Sequence, residues 1–465
     1  MGSVVVCGGG AVGLIAAMML SRDGHEVTVL EADPHPAPRT VEEAWASWGR
    51  KGVAQFHQPH VFLTRFRDVI DAELPGLCDR LVAAGCVGVN YLSTPPPSLP
   101  DWTPRPDDER LRYVTGRRPV TESVIAAAAE QEPRLTVRRG VRVAGLLSGP
   151  SAVPGVPHAA GVRTAAGEEI AADLVVDATG RRTRAVDWLL ELGARPPHVE
   201  TEDAGFVYYT RYFTGDTRPR RMGRALMPIG SFSILTLDGD NDTWSVTLFG
   251  LTRDSPLKAL RSADVFDRVV RACPLQGHWL DGQPISDVLA MAGVLDAYRR
   301  YVSDGQPVVT GFAPLGDAWA CTNPSAGRGV SMGAIHAQLL RRTVAAHLSD
   351  PATFARQWDE ATEQAVGPFY RNQIAADRAR VAEMDALRQG VDPPPPDPLT
   401  TRFLTAATRD ADVWRAVIET VVCVALPQEV LARPGMRERI DELGTGEPPK
   451  PPGPDRAQLL QLLDA

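Results

Sequence analysis

The chain has 465 residues, 44% of them hydrophobic, and a formal net charge of −8. A chain of this size and composition buries a large core and is expected to form two or three domains. The excess of negative charge argues against nucleic acid as a main partner.

The first 31 residues form an ordered local pattern. Ser3–Cys7 is an apolar, β-branched run typical of a buried strand. The glycine-rich turn Gly8–Gly13 follows, Leu14–Arg22 is predicted to be helical, and Val27–Leu30 is a second strand that ends on Glu31. A lone Gly-x-Gly-x-x-Gly is usually an ordinary turn, but this full order indicates a dinucleotide-binding unit.

Each residue type in this pattern has a chemical purpose. Gly8 allows the tight turn, Gly10 lets the backbone approach a pyrophosphate, and Gly13 allows close helix–strand packing. The helix N-terminus offers N–H groups to the phosphates. Glu31 can accept hydrogen bonds from ribose hydroxyls, and its charge argues against a 2′-phosphate. The unit therefore predicts FAD or NAD.

The segment up to residue 190 continues in the α/β pattern. Ala32–Arg50 is polar and is predicted to be a loop. The predicted helices are Phe62–Leu74, Leu77–Ala84 and Thr121–Glu132, the last with Thr121 as N-cap. The predicted strands are Leu135–Val143 and Leu174–Asp177.

The pattern of residue types changes between residues 191 and 302. Alternation and aromatic richness predict antiparallel strands at Phe206–Phe213, Ser231–Leu237 and Thr243–Leu251. Helices are predicted at Ser262–Cys273 and Ser286–Met291. These elements indicate a second, mainly antiparallel sheet domain.

The remainder returns to the first domain and then becomes helical. Its predicted elements are a strand at Pro307–Thr310, a glycine-rich turn at Pro324–Gly333, a helix through His347, and helices at Thr353–Gln389 and Asp410–Val424. The predicted fold is α/β: a Rossmann-like domain (residues 1–190 and 303–347), interrupted by the sheet domain (191–302) and followed by a helical C-terminal region (348–465).

Two further segments carry the same chemistry as the first turn. Asp177 ends a strand and leads into a small-residue turn at Gly180, which lets backbone pass close to a cofactor. Asp317 follows Gly316 and can accept hydrogen bonds from a polyol chain. The turn at residues 323–331 then bares the N–H groups of a helix start, which stabilise negative charge.

The residues that carry a family resemblance lie in four motifs: GGGAVG at 8–13, GRRPVTE at 116–122, DLVVDATGRRTRAVDWL at 173–189, and GDAW followed by NPSAGRGVSMG within 316–333. The chain resembles flavoprotein monooxygenases of the para-hydroxybenzoate hydroxylase-like superfamily, and within it actinobacterial tailoring oxygenases and epoxidases. The resemblance covers residues 1 to about 345. It implies FAD, extended across the first domain with its isoalloxazine between the two domains.

The resemblance also implies which residues contact FAD. Those implied for the ADP half are Gly8, Gly10, Gly13, Glu31 and, through its backbone at the adenine, Val143. Those implied for the rest of the cofactor are Arg118 beside it, Gly180 near the pyrophosphate or ribityl, Asp317 on the ribityl–phosphate chain, and Gly327, Gly329, Val330 and Ser331 under the pyrimidine ring. Arg65 is a further candidate for a flavin-side contact.

One departure from the family pattern concerns the electron donor. Hydroxylases of this superfamily usually carry an Asp-Gly pair that serves FAD and NAD(P)H, whereas this chain has Thr179-Gly180. No second Gly-x-Gly-x-x-Gly follows a strand. The electron source stays open between NAD(P)H docking directly and reduced flavin from a partner reductase.

The function implied is an FAD-dependent monooxygenase that inserts one oxygen atom of O₂ into an apolar or aromatic small molecule, by hydroxylation or epoxidation, in secondary metabolism. An FAD-dependent dehydrogenase or reductase and a non-catalytic flavin-binding partner are the alternatives. No catalytic acid or base is named, because the cofactor carries the chemistry. The oligomeric state is left open.

Three further features of the sequence concern the cellular compartment, membrane insertion and metal binding. The six cysteines include no C-x-x-C pair, which argues for a reducing cytoplasm. Val4–Leu20 lacks a basic leader and is interpreted as part of the fold, so no membrane segment is expected. No metal-ligand cluster is evident.

Several aromatic and basic residues leave two interpretations open. The pair Trp45 and Trp48 resembles a tryptophan motif of the flavin-dependent halogenases, but Gly49-Arg50 replaces their Ile-Pro, which argues against halogenation. His57 and His60 are either structural or near the flavin. The arginines at 218, 220, 221 and 224 form either an exposed hairpin loop or a lid, and the aromatics of Phe206–Phe213 either line a pocket or pack in the core.

Overall fold

The computed structural model describes residues 1–50, 52–100 and 102–464. The strands are β1 Ser3–Cys7, β2 Glu26–Glu31, β3 Pro59–Phe62, β4 Val87–Asn90, β5 Arg112–Arg117, β6 Leu135–Arg139, β7 Val143–Val153, β8 Val156–Thr164, β9 Glu169–Ala171, β10 Leu174–Asp177, β11 His198–Glu202, β12 Phe206–Thr214, β13 Leu226–Ile229, β14 Phe232–Asp238, β15 Thr243–Leu251, β16 Gln283–Pro284, β17 Leu289–Ala292, β18 Asp296–Arg300, β19 Val302–Ser303, β20 Gln306–Pro307, β21 Phe312–Pro314 and β22 Ala320–Cys321. The helices are α1 Ala11–Arg22, α2 Val41–Ala46, α3 Thr64–Glu73, α4 Leu77–Ala83, α5 Arg118–Ala129, α6 Ala185–Glu191, α7 Ala263–Arg271, α8 Gly329–His347, α9 Pro351–Ala365, α10 Gly367–Gln389, α11 Pro398–Ala406, α12 Ala411–Val421, α13 Pro427–Leu431, α14 Met436–Leu443 and α15 Arg456–Asp464.

A parallel sheet in the order β21-β10-β1-β2-β6 organises the first part of the chain. Its central strands β1 and β10 are rich in valine and almost fully buried, as expected for a sheet covered on both faces. α1 packs against α5 and α8 on one face, in the largest hydrophobic core. The carboxyl ends of β1, β2, β10 and β21 meet at one edge, where open α/β sheets bind their ligands.

An antiparallel sheet in the order β13-β14-β15-β12-β16, with β17 also paired to β12, forms the second layer. One face packs against α7 and the last helix, α15. The other face packs against a small sheet, β11-β18-β22, and against Met384 of α10. The predicted α/β class with a parallel sheet, an antiparallel sheet and C-terminal helices is confirmed.

Several predicted elements differ in the structure. Ser286–Met291, predicted as a helix, is extended, and its last residues belong to β17, because pairing with β12 overrides a weak helical pattern. Leu135–Val143 is divided between β6 and β7. Pro307–Thr310 contains only the end of β20, and the buried parallel strand is β21.

The helical predictions also need correction at three places. Thr353–Gln389 is two helices, because Pro368 lies in the first turn of α10 and α9 ends before it. The predicted loop Ala32–Arg50 contains α2. Thr121 lies inside α5, which begins at Arg118, and its hydroxyl donates back to the Arg118 carbonyl.

Two further observations concern the chain as a whole. All six cysteines are buried and free of disulfides. Of the helices in the described ranges, none combines the length and apolar character needed to cross a membrane.

Candidate cofactor site

A cavity of about 460 Å³ lies at the carboxyl edge of the parallel sheet. The residues that the sequence predicted for FAD line it, with the exceptions of Ser331 and the further candidate Arg65. They come from segments more than 300 positions apart in the chain. The lining residues include Gly8, Gly10, Gly13, Glu31, Arg50, His60, Arg118, Val143, Gly180, Asp317, Gly327, Gly329 and Val330.

The first glycine turn has the geometry that a pyrophosphate requires. Gly8 has φ +109°, and a Cβ there would lie 2.4 Å from the Ala178 carbonyl oxygen. A Cβ on Gly13 would lie 2.3 Å from the Gly8 carbonyl oxygen. At Gly10, by contrast, a Cβ would meet no protein atom within 4 Å. The backbone at Gly10 is therefore open to the cavity, as close approach of a phosphate demands.

Two helices begin at this cavity. Gly10 is the N-cap of α1 and Arg328 is the N-cap of α8, and neither helix start has a side-chain cap. Their first N–H groups lack helical partners and carry partial positive charge. The cavity thus presents one anion-stabilising helix end at the first glycine turn and a second at the Gly327–Gly329 turn.

The Glu31 carboxylate is bonded to protein groups around the first glycine turn. Its Oε2 accepts a hydrogen bond from Gly9 N at 2.8 Å and forms an ion pair with Arg50. Its Oε1 accepts a hydrogen bond from Asp33 N at 2.8 Å. The predicted contact with ribose stays a prediction. Because Arg50 neutralises this carboxylate, its charge no longer argues against a 2′-phosphate.

A buried ion network extends from Glu31 into α5. Arg50 Nη1 donates to Glu122 Oε2 at 2.6 Å, and Arg118 Nε donates to Glu122 Oε1 at 2.5 Å. Burial opposes ionisation of Glu122, but the two guanidinium groups prevail and lower its pKa to about 2. Arg118 Nη1 is buried without a hydrogen-bond partner among the described residues. In the cavity wall, this donor is available to an anionic ligand.

The turn after β10 is organised by Asp177. Its Oδ1 accepts hydrogen bonds from Thr179 N at 3.0 Å and Thr179 Oγ1 at 2.6 Å, and its Oδ2 accepts from Thr183 Oγ1. Burial raises the pKa of Asp177 above its ordinary value. The Thr179 hydroxyl is thus occupied in shaping the turn that brings Gly180 to the cavity.

The last segment brings Asp317 and the turn at Gly327 to the opposite wall. Burial raises the pKa of Asp317, against the opposing charges of Arg118, Arg181 and Arg299. Gly327 has φ +66°, the left-handed region that favours glycine. Ser331 is fully buried behind this wall, where its Oγ accepts from Leu63 N at 3.2 Å, so its predicted place under the pyrimidine ring has no support in the lining.

Three other candidates lie around the site. Arg65 is turned away from the cavity: its Nε donates to the Cys423 carbonyl at 2.9 Å, at the end of α12, so it ties α3 to the C-terminal helices. His60 lines the cavity, and burial lowers its pKa to about 3, so it is neutral. His57 packs against Trp45 and Phe56.

The aromatic residues of β12 pack in the core. Phe206 and Tyr208 contact Phe249 on one face, and Tyr209 and Phe213 belong to the core against α7. None of them is among the residues that line the cavity. The packed interpretation of these aromatics is therefore the one that the structure supports.

The tryptophan pair and the arginine run are also structural. Trp45 contacts Tyr212 and lies under the Arg117 guanidinium, and Trp48 is buried against Phe56. Arg218 and Arg221 form ion pairs with Asp242 and Asp238, and Arg221 also stacks over Trp279. The run therefore lies folded against the antiparallel sheet.

Arginines are the main residues that the sequence analysis missed. Arg50 lines the cavity and joins the two carboxylates, although its partners are distant in sequence. The only signal was its position as a basic residue after Trp48-Gly49. Four more arginines line the cavity: Arg142, Arg181, Arg182 and Arg184.

Comparison with known proteins matches this geometry. The family model described as FAD dependent oxidoreductase matches residues 3–60, which include the glycine turn, Glu31 and Arg50. Residues 3–60 carry the nucleotide-binding motif of an FAD-dependent oxidoreductase. The predicted resemblance to FAD-dependent flavoproteins is confirmed for this segment.

Individual relatives of this flavoprotein fold are distant. Protein Rv3254 of Mycobacterium tuberculosis is 29% identical over 394 residues, 80% of this chain and 79% of that protein. PqsL of Pseudomonas aeruginosa, a probable FAD-dependent monooxygenase, has a TM-score of 0.62 at 15% identity and covers 83% of this chain and 98% of its own. The myxobacterial chondrochloren halogenase CndH has a TM-score of 0.59 at 19% identity and covers 95% of each chain. At these identities the two structures show the fold alone.

Proposed function

We propose that the protein binds FAD in the 460 Å³ cavity and acts as a monooxygenase on an apolar or aromatic small molecule. One observation carries the proposal: three glycine turns distant in sequence, together with Asp317, line one cavity that receives two uncapped helix starts. We assign residues 1–190 and 303–347 to FAD binding and residues 191–302 to substrate binding.

Different residues of the cavity would contact different parts of FAD. Gly10 and the start of α1 would receive the pyrophosphate, with Arg118 Nη1 as an additional donor. Asp317 would accept from the ribityl hydroxyls. The start of α8 would lie under the pyrimidine ring, where its N–H groups stabilise negative charge. When bound and reduced, FAD supplies the activation of O₂ that a monooxygenase needs.

The substrate would be held between this cavity and the antiparallel sheet. β12 is bonded at two buried points to residues next to lining residues of the cavity: Thr210 to Gln58, beside Pro59, and Tyr208 to Asn323, beside Thr322 and Pro324. The cavity lining includes the apolar residues Val53, Val61 and Pro324. These apolar side chains favour an apolar substrate.

The electron source, the compartment and the metabolic context stay proposals. Either NAD(P)H reduces the bound FAD directly or a partner reductase supplies reduced flavin. Secondary metabolism and a cytoplasmic location are the settings we favour. The similarity to PqsL and CndH in fold supports flavin-dependent oxidation without selecting among oxygenation, halogenation and dehydrogenation.

The test begins with the purified protein. We expect yellow protein with bound FAD at one equivalent per chain, reduced anaerobically by NADH, NADPH or a flavin reductase. With a panel of aromatic substrates, we expect product that contains one oxygen atom from ¹⁸O₂. Halide-dependent products would indicate a halogenase instead, and product without oxygen incorporation would indicate a dehydrogenase. Protein that takes up no FAD would overturn the proposal.

A further inference from the structure

The loop from Thr322 to Gly329 has two sides. On one side Thr322, Pro324 and Gly327 line the FAD cavity. On the other side Asn323 and Ser325 point away from the cavity and are 2% and 8% exposed. On the hidden side, the backbone N and the Oδ1 of Asn323 and the Oγ of Ser325 each meet a buried partner from a distant element. Asn323 Nδ2 has no hydrogen-bond partner among the described residues.

Asn323 is held by two strands of the antiparallel layers. Its backbone N donates to Asp296 Oδ1 at 2.5 Å, at the first residue of β18. Its side-chain Oδ1 accepts a hydrogen bond from the Tyr208 hydroxyl of β12. All three residues are buried, so these bonds are shielded from competing water.

Ser325 is held by α10. Its Oγ donates to Asp377 Oδ1 at 2.6 Å and accepts from Gln373 Nε2 at 2.9 Å. Gln373 Nε2 also lies 3.0 Å from Asp377 Oδ2, which closes the triangle. The three side chains are each at least nine-tenths buried.

These contacts bury the carboxyl groups of Asp296 and Asp377, which is energetically unfavourable. Neither Asp296 nor Asp377 forms an ion pair with any residue in the described ranges. Burial raises the pKa of both carboxyl groups, that of Asp296 to about 6. The nearby charges of Asp377, Glu202 and Asp203 add to the rise at Asp296, whereas the charge of Arg328 opposes the rise at Asp377. Burying a carboxylate without an ion-pair partner destabilises a fold, and hydrogen bonds to the carboxylate offset part of that cost. Here both groups hold the same loop.

We infer that Asp377 and Asp296 are positioning residues for the cofactor, which fix the Asn323–Gly327 loop from the side opposite the FAD cavity. α10 lies in the C-terminal part of the chain, for which the family resemblance implied no role. Through Ser325 it sets how tightly the flavin end of FAD is held. The inference rests on the proposed FAD site.

The test compares FAD binding by apo-protein variants, measured by quenching of flavin fluorescence. Ser325→Ala and Asp377→Asn each remove the charge-assisted bond, and we expect each to raise the FAD dissociation constant roughly tenfold. Because both act through one bond, the double variant is expected to bind no more weakly than either alone. Ser325→Thr, which restores a hydroxyl, is expected to recover most of the affinity. Asp296→Asn tests the other anchor and is expected to weaken binding in the same direction.

Asp385→Asn is the matched control. It lies two turns further along α10 and, like Asp377, lines a neighbouring cavity of about 410 Å³, but it pairs with Arg253 at the surface and not with the loop. We expect unchanged FAD affinity in this variant. Wild-type affinity in Ser325→Ala and Asp377→Asn, or additive losses in the double variant, would overturn the inference while leaving the FAD site intact. A wild-type protein that binds no FAD would overturn both. If Ser325→Ala does not fold, the isosteric Asp377→Asn decides the outcome.

Discussion

Replacing Arg50 with methionine is expected to lower the free energy of unfolding of the apo-protein by about 3–5 kcal/mol. The Arg50 side chain is only 5% exposed and joins Glu31 to Glu122. Without it, two buried carboxylates lose the cation that they share, and Arg118 compensates only Glu122. The loss is therefore that of an uncompensated buried charge and not of one hydrogen bond.

The stability difference between the wild type and Arg50→Met is expected to depend on pH through the pKa of Glu122. In the wild type, the pKa of Glu122 is lowered from 4.5 to about 2, so this group stabilises the fold above pH 4.5 and loses that contribution as the pH falls toward 2. In Arg50→Met the folded-state pKa rises, because one of the two cations is gone. The stability deficit of the variant should be largest near pH 7 and should shrink as the pH falls toward 4.

Urea unfolding of the apo-proteins at pH 7, 5 and 4 measures this difference. The control is Arg138→Met, which removes an exposed pair with Glu168 and is expected to cost less than about 1 kcal/mol. An Arg50→Met protein as stable as this control at pH 7, or a deficit that grows as the pH falls, would contradict the prediction.

The parts of the site that the sequence predicts are those with local signals. The strand, glycine turn and helix of residues 3–22 lie next to one another in the chain, so their pattern is complete within one window. Asp177 and Asp317 were found for a related reason. Asp177 ends the apolar strand β10, Asp317 lies three residues after β21, and the carboxyl ends of parallel strands meet at one edge.

The parts that the sequence does not predict depend on distant partners. Arg50 is an isolated basic residue until the fold places Glu31 and Glu122 against it. The contacts that hold the Asn323–Gly327 loop cannot be predicted from the sequence either. Ser325 and Asp377 lie 52 positions apart, on elements that only tertiary packing brings together. Alternation in β12 failed as a guide to a pocket for a different reason. Both faces of this strand are covered, so the same pattern serves two cores.

Two glycines of the first turn should separate folding from cofactor binding. In Gly13→Ala the new methyl group would lie 2.3 Å from the Gly8 carbonyl oxygen, a backbone atom that cannot move without shifting α1. We expect a loss of about 1–3 kcal/mol in apo-protein stability together with loss of FAD binding. Thermal unfolding of the apo-protein and flavin fluorescence measure the two effects.

Gly10→Ala is the informative partner of that variant. Gly10 has φ −77°, which alanine adopts readily, and the methyl group would meet no protein atom within 4 Å. The apo-protein should therefore be as stable as the wild type, or slightly more so. The methyl group would occupy space where a pyrophosphate approaches the backbone, so the FAD dissociation constant should rise roughly tenfold or more. Gly88→Ala in β4 also has no atom within 4 Å and lies outside the cavity lining, so it should change neither quantity. Unchanged FAD affinity in Gly10→Ala would mean that the pyrophosphate does not lie against this turn.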